Sequence, residues 1–158
     1  MPIHVGDRLP SAALHEGNPK TLIDPAAAFA TGKVVVFGVP GAFTPGCDKT
    51  HLPGYVADRE KLAAKGVTQV VCVSVNDAFV MAAWGAAHHA DGKVRMLADP
   101  TGAFTRALGL DVDAPALGGV RSKRYAMVVE NGVVTHLDVE PDGFGLTCSL
   151  APALIDRL

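Results

Sequence analysis

The chain carries three cysteines, Cys47, Cys72 and Cys148, and they keep very different company. Cys47 closes the run Pro40-Gly41-Ala42-Phe43-Thr44-Pro45-Gly46-Cys47, in which turn residues lead directly into a helical pattern. In the first turn of a helix, unpaired backbone N–H groups and the positive end of the dipole stabilise an anion. A thiol placed there carries more thiolate, the nucleophilic form. Thr44 lies three residues earlier, where its hydroxyl can cap the helix and touch the sulfur or an oxygen bound to it. Free cysteines more often fill small apolar gaps between helix and sheet. Gly, Pro, Thr and Asp at a strand-to-helix turn are poor surroundings for that role. The chemistry expected at Cys47 is nucleophilic attack by sulfur.

The other thiols read differently. Cys72 sits inside Gln69-Val70-Val71-Cys72-Val73-Ser74-Val75, surrounded by apolar neighbours, and is expected to be a buried, inert thiol. Cys148 lies in the small-residue segment Gly143-Phe144-Gly145-Leu146-Thr147-Cys148-Ser149, where exposure and freedom to move are expected. No CxxC pair exists, which argues against a zinc ribbon and a dithiol redox motif, and three widely spaced cysteines do not make a disulfide framework. His51 follows Cys47 by four residues and would share its helix face, as a base, a metal ligand or, more commonly, a hydrogen-bonded residue at a pocket edge. We assign it a supporting place at most. His88 and His89 are adjacent, hence on different helix faces, a poor metal site for which exposure is expected. His4, His15 and His136 have no partner in view, so no metal is expected.

The elements that must hold these groups are legible as alternating strands and helices. Residues 34–39 form a β-branched apolar run, residues 47–65 have helical spacing interrupted by Pro53, and residues 69–75 are a second apolar run. Strand, helix, strand is the crossover unit of a parallel pair. Asn76 is placed to cap a helix through Phe79, Val80, Ala83 and Trp84 that ends before Gly92. Residues 94–99 make a third strand, with a short helix near 103–108. Asn131-Gly132 marks a hairpin within 125–140, and a last helix is expected over 149–158. The Gly- and Pro-rich stretch 111–120 reads as a loop bordering the pocket and an oligomer interface. Phe43, Leu117, Trp84 and Phe79 are candidates for an apolar rim, with Phe79 and Trp84 better placed in the core.

Composition agrees with a folded chain. Of 158 residues, 49% are hydrophobic and 19% charged, enough for one α/β domain over 1–158 and too apolar for disorder. The net charge of −2 gives no footing for nucleic acid or an anionic membrane. A basic start followed by an apolar stretch is missing, and no apolar run approaches the roughly 20 residues that span a bilayer. A cytoplasmic protein is expected. The pattern alone supports an α/β fold with a mixed β-sheet flanked by helices on both faces, an order of elements that the thioredoxin-like fold also has.

The segment PGAFTPGCDKTHLPGYV (40–56) closely resembles the active-site segment of peroxiredoxins of the type II, or peroxiredoxin-5, subfamily. Pro40, Thr44 and Cys47 match its pattern of Pro, three residues, Thr, two residues, Cys. VSVNDAFV, ADPTGAF, RSKRYAMVVENG and VEPDGFGLTCSLA resemble further type II segments in the same order, so the likeness covers nearly the whole chain. The resemblance implies a peroxidase of hydrogen peroxide and organic hydroperoxides that uses no cofactor. In it Cys47 becomes a sulfenic acid, Thr44 hydrogen-bonds the peroxide and Pro40 shields the pocket. Arg124, directly before Tyr125, matches the family's catalytic arginine; Arg121 is the alternative holder and otherwise a supporting residue. Cys148 matches the resolving cysteine of the atypical two-cysteine branch, implying a Cys47–Cys148 disulfide recycled by thioredoxin. Other type II enzymes use one cysteine with glutathione or glutaredoxin, and a homodimer is common in the subfamily. Two further readings stand beside it: a redox sensor or relay of the same fold, and a binding module with a dead thiol. Pro40, Thr44, Cys47 and Arg124 together count against the latter.

Overall fold

The computed structural model describes residues 2–158. A seven-stranded sheet forms the middle layer. In chain order its strands are β1 (Leu14–Glu16), β2 (Asn18–Ile23), β3 (Lys33–Val39), β4 (Val67–Ser74), β5 (Arg95–Ala98), and the later pair β8 (Tyr125–Glu130) and β9 (Val133–Val139). Between them, β6 (Asp111–Ala114) and β7 (Gly119–Ser122) form a separate hairpin. The spatial order is β2-β1-β5-β4-β3-β8-β9. β3, β4 and β5 run parallel, while β8, β9, β1 and β2 pair antiparallel.

β3 explains its unbroken apolar run. As a central strand it is covered on both faces, so neither set of alternating side chains needs to be polar. Val35, Phe37 and Val39 pack on one side with Cys72, Leu52, Tyr55, Leu62, Met81, Trp84 and Leu154. Apart from Cys72 on the neighbouring β4, those partners come from α2 (Leu52–Ala57), α3 (Arg59–Ala64), α4 (Ala78–Ala87) and α6 (Ala151–Ile155). Val34 and Val36 pack on the other side with Phe29, Phe104 and Leu108, beside α1 (Pro25–Ala28) and α5 (Ala103–Leu108). The thioredoxin-like reading thus describes the architecture. Among the described residues no helix is long and apolar enough to cross a membrane.

Several boundaries differ from the sequence expectation. The helical stretch 47–65 is three pieces: a π-turn (Cys47–His51), α2 and α3. In the π-turn the Leu52 N–H reaches back to the Cys47 carbonyl. The wide turn falls immediately before Pro53, which has no N–H with which to continue a regular ladder. The cap of α4 is Asp77, whose carboxylate accepts from Val80 N at 2.8 Å, and not Asn76. The hairpin turn holds Asn131 at φ 51 and Gly132 at φ 82, the two positive values such a turn requires. The stretch 111–120 is mostly the β6–β7 hairpin and not a loop. The last helix is only α6.

Gly38 on β3 pairs with Tyr125 on β8, and a Cβ at Gly38 would overlap the Tyr125 ring. Tyr125 is fully buried, so the ring has nowhere to go. Gly38→Ala is expected to cost roughly 2–3 kcal/mol of stability through overpacking. Chemical denaturation measures this directly; a change within experimental error would show that the sheet yields locally.

Candidate active site

The loop after β3 delivers Cys47 to the start of the π-turn, where the residue is fully buried. Two side chains converge on its sulfur. Thr44 Oγ1 lies 3.0 Å from Sγ and 2.7 Å from the Gly41 carbonyl, two acceptors between which its single proton is shared out. The hydroxyl does not cap the turn, whose N-terminus has no side-chain cap. Arg124 Nη1 lies 3.3 Å from Sγ. Arg121 does not reach the sulfur: it donates to the Leu117 carbonyl through Nε and Nη2 and to the Pro40 carbonyl through Nη1. Geometry therefore separates two arginines that the sequence left as alternatives. Pro40 is buried beneath that contact.

Arg124 is 4% exposed, and among the described residues no carboxylate pairs with it. It is fixed instead by the Phe144 carbonyl, which accepts from Nε at 3.3 Å, and by His51 Nδ1 at 3.0 Å from Nη1. An arginine only donates, so Nδ1 must be the acceptor and the His51 proton sits on Nε2. There it is donated to the Ser149 carbonyl at 3.1 Å. Burial first, and the Arg124 charge second, push the His51 pKa down to about 3. The ring therefore stays neutral at ordinary pH and serves as an oriented acceptor.

That shift makes a pH prediction. The unfolded chain takes up a proton on this histidine below about pH 6.5, while the folded protein refuses it until near pH 3. The contribution to stability is complete above pH 6.5 and is lost as pH falls, by at most about 1.4 kcal/mol per unit. Urea unfolding between pH 7 and pH 5 should show this slope, and His51→Gln should flatten it. Equal slopes in the two proteins would contradict it.

Other supports were not found from the sequence. Asn76 Oδ1 accepts from Ala42 N at 3.0 Å and Ser74 Oγ at 2.6 Å, holding the loop that carries Thr44. Asp48, next to Cys47, accepts from His88 Nε2 at 2.6 Å and Trp84 Nε1 at 2.9 Å, tying the π-turn to α4. The His88 hydrogen bond, then that of Trp84, holds the Asp48 carboxyl below its ordinary value. His88 is therefore paired and half-buried, against the expectation of exposure; His136 likewise pairs with Asp138. Trp84 is core, whereas Phe79 is 63% exposed and not core as expected. Phe43, half exposed, holds φ 63, a costly conformation for a bulky residue and one that clusters at functional sites. A cavity of about 440 Å³ lined by Arg59, Gln69, Lys93, Arg95 and Met96 includes none of these residues.

All three cysteines are free. Cys72 is fully buried, and burial pushes its thiol well up, as an inert role requires. Cys148 is half-buried rather than exposed; burial, then the Glu140 and Asp138 charges, raise its pKa.

The redoxin family model matches residues 4–149. Peroxiredoxin-2C of Oryza sativa subsp. japonica is 44% identical over 146 residues, 90% of each chain. Peroxiredoxin-2D of Arabidopsis thaliana is 40% identical, covering 99% of each. The chain belongs to the peroxiredoxins. Solved structures agree: reduced Prx3 from Vibrio vulnificus superposes with a TM-score of 0.92 at 47% identity, over 98% of this chain and 97% of that one. Peroxiredoxin 5 from Alvinella pompejana gives 0.85 at 40% identity, over 99% and 100%. This peroxiredoxin is accordingly a thiol-dependent peroxidase of the type II kind with a thioredoxin-like fold.

Proposed function

We propose that Cys47 is the peroxidatic residue, with Thr44 and Arg124 as the donors that activate the peroxide. The observation that carries this is the pair of contacts to one buried sulfur, 3.0 Å from a hydroxyl and 3.3 Å from a guanidinium lacking a carboxylate partner. The sulfur attacks the terminal oxygen of ROOH; the S–O bond forms as the O–O bond breaks, and the leaving alkoxide takes a proton to become ROH, or water from hydrogen peroxide. Donors fixed beforehand stabilise charge developing on the oxygens. Pro40 and the Arg121 contact to its carbonyl shape the loop over the sulfur.

Cys148 then displaces water from the sulfenic acid: the S–S bond forms, the S–O bond breaks, and the thiol proton leaves with the oxygen. Thioredoxin reduces the disulfide, with glutaredoxin or glutathione as the other reductant class. The protein acts as a homodimer, a reading supported by the exposed aromatic rings of Phe43, Phe79 and Phe144 near the end of the sheet that carries Cys47. Sedimentation as a monomer at micromolar concentration would remove that last element.

Mass spectrometry after one equivalent of hydrogen peroxide tests the cycle. Loss of two hydrogens, with peptides joining Cys47 to Cys148, is the expected result. A lasting single-oxygen adduct on Cys47 with Cys148 free would transfer resolution to an external thiol. No modification of Cys47 would remove its peroxidatic role.

A further inference from the structure

We propose that Glu140 is the positioning residue of both chemical steps: it clamps the segment that bears Cys148 and, through Ser149 and His51, aims Arg124 at the Cys47 sulfur. The claim rests on the roles given above to Cys47 and Cys148.

Glu140 follows β9 and is 1% exposed, yet among the described residues no cation pairs with it. Its carboxylate is satisfied by the two residues that flank Cys148. Oε1 accepts from Thr147 Oγ1 at 2.6 Å; Oε2 accepts from Thr147 N at 3.0 Å, Ser149 N at 2.8 Å and Ser149 Oγ at 2.6 Å. Burial alone would raise the pKa, but these donors hold it at about 2, so the clamp is ionised at every pH at which the enzyme would work.

The other side of Ser149 faces the active site. Its carbonyl accepts from His51 Nε2 at 3.1 Å and from the Tyr55 hydroxyl at 2.7 Å. Fixing that carbonyl fixes the His51 tautomer, and the tautomer leaves Nδ1 free to accept from Arg124. The backbone repeats the linkage, since Glu140 N donates to the Arg124 carbonyl at 3.0 Å and Arg124 N to the Gly143 carbonyl at 2.7 Å. One carboxylate thus holds both the guanidinium at the first sulfur and the chain around the second.

The two consequences have opposite signs. Aiming Arg124 favours attack on peroxide. Holding Thr147 and Ser149 restrains Cys148 from leaving its place to meet the sulfenic acid. A residue that only stabilised the fold would not divide the steps in this way.

The single tryptophan, Trp84, donates to Asp48 beside Cys47 and offers a fluorescence probe. Reduced Glu140→Ala mixed rapidly with hydrogen peroxide should show a concentration-dependent oxidation phase slowed by about 10-fold, as expected for a displaced donor. The following concentration-independent disulfide phase should be several-fold faster than in wild type. Glu140→Gln keeps an oxygen for the Ser149 and Thr147 amides, and Thr147 Oγ1 can turn to accept from its NH₂, so both phases should fall between wild type and Glu140→Ala. This variant also serves if the alanine protein folds poorly. Parallel slowing of both phases, or no change in either, would overturn the proposal. A wild type with no second phase would strike at the resolving role of Cys148 and at the clamp's part in resolution. The oxidation phase of Glu140→Ala then decides the aiming of Arg124 by itself, and an unchanged rate constant overturns it.

Discussion

Cys47→Ser is expected to leave a folded protein whose peroxidase activity is at least about 10³-fold below wild type, the scale seen when a nucleophile is removed from an assembled site. The substitution changes little in volume, and Thr44 and Arg124 remain to bind oxygen. What is lost is a sulfur atom, a far better nucleophile than a hydroxyl oxygen and one that accepts oxygen at low cost. Peroxide-dependent oxidation of thioredoxin or glutathione, followed spectrophotometrically, measures the loss. A variant within 10-fold of wild type would mean that Cys148 or Cys72 carries the reaction. Cys72 is an unpromising substitute, being fully buried with its thiol held protonated by that burial.

Arg124→Gln should lower the second-order rate constant with hydrogen peroxide by about 10²- to 10³-fold, as removal of one fixed donor to a developing charge does elsewhere. The glutamine amide offers a neutral donor on a shorter side chain, and it cannot reach the sulfur, His51 and the Phe144 carbonyl together as the guanidinium does. Arg124→Lys should restore part of the loss, because the charge returns without the planar fork. Arg121→Gln is the informative contrast. That guanidinium grips the Leu117 and Pro40 carbonyls, so its loss should loosen the loop and reduce the rate far less. Stopped-flow oxidation of the three variants sets the order, and an Arg121 effect equal to that of Arg124 would contradict the assignment.

What the sequence shows of this site depends on how far apart the partners lie. Thr44 and Cys47 sit three residues apart, and their chemistry is written in one short segment. Asp48 meets His88 across 40 residues, and His51 meets Ser149 across 98. No local spacing marks either pair, and Glu140 looks like an ordinary strand-end carboxylate until Thr147 and Ser149 are seen folded onto it. The fold divides similarly. β3, β4 and the Asn131-Gly132 turn are legible because burial and turn geometry demand particular residues. β2, Asn-Pro-Lys-Thr-Leu-Ile, is almost wholly exposed and therefore free of the apolar alternation that betrays a strand. Phe79 misled for the opposite reason: α4, Ala-Phe-Val-Met-Ala-Ala-Trp-Gly-Ala-Ala, lacks charged residues altogether, so its pattern cannot mark which face is left outside.

The exposed character of β2 bears on colloidal behaviour. An open sheet has two free edges, and each is a template on which another chain can polymerise. At one edge, Pro19 has no N–H to offer a newcomer and Lys20 brings a charge that a stacked copy would meet again. At the other, the amino-terminal segment already occupies the start of β9: Gly6 N donates to the Val134 carbonyl, and Val134 N to that of Asp7. Farther along β9, Arg157 from the carboxyl terminus pairs with Asp138. Both borders of the sheet thus carry features that discourage strand-by-strand growth: a proline and a lysine on β2, and a bound amino-terminal segment at the start of β9.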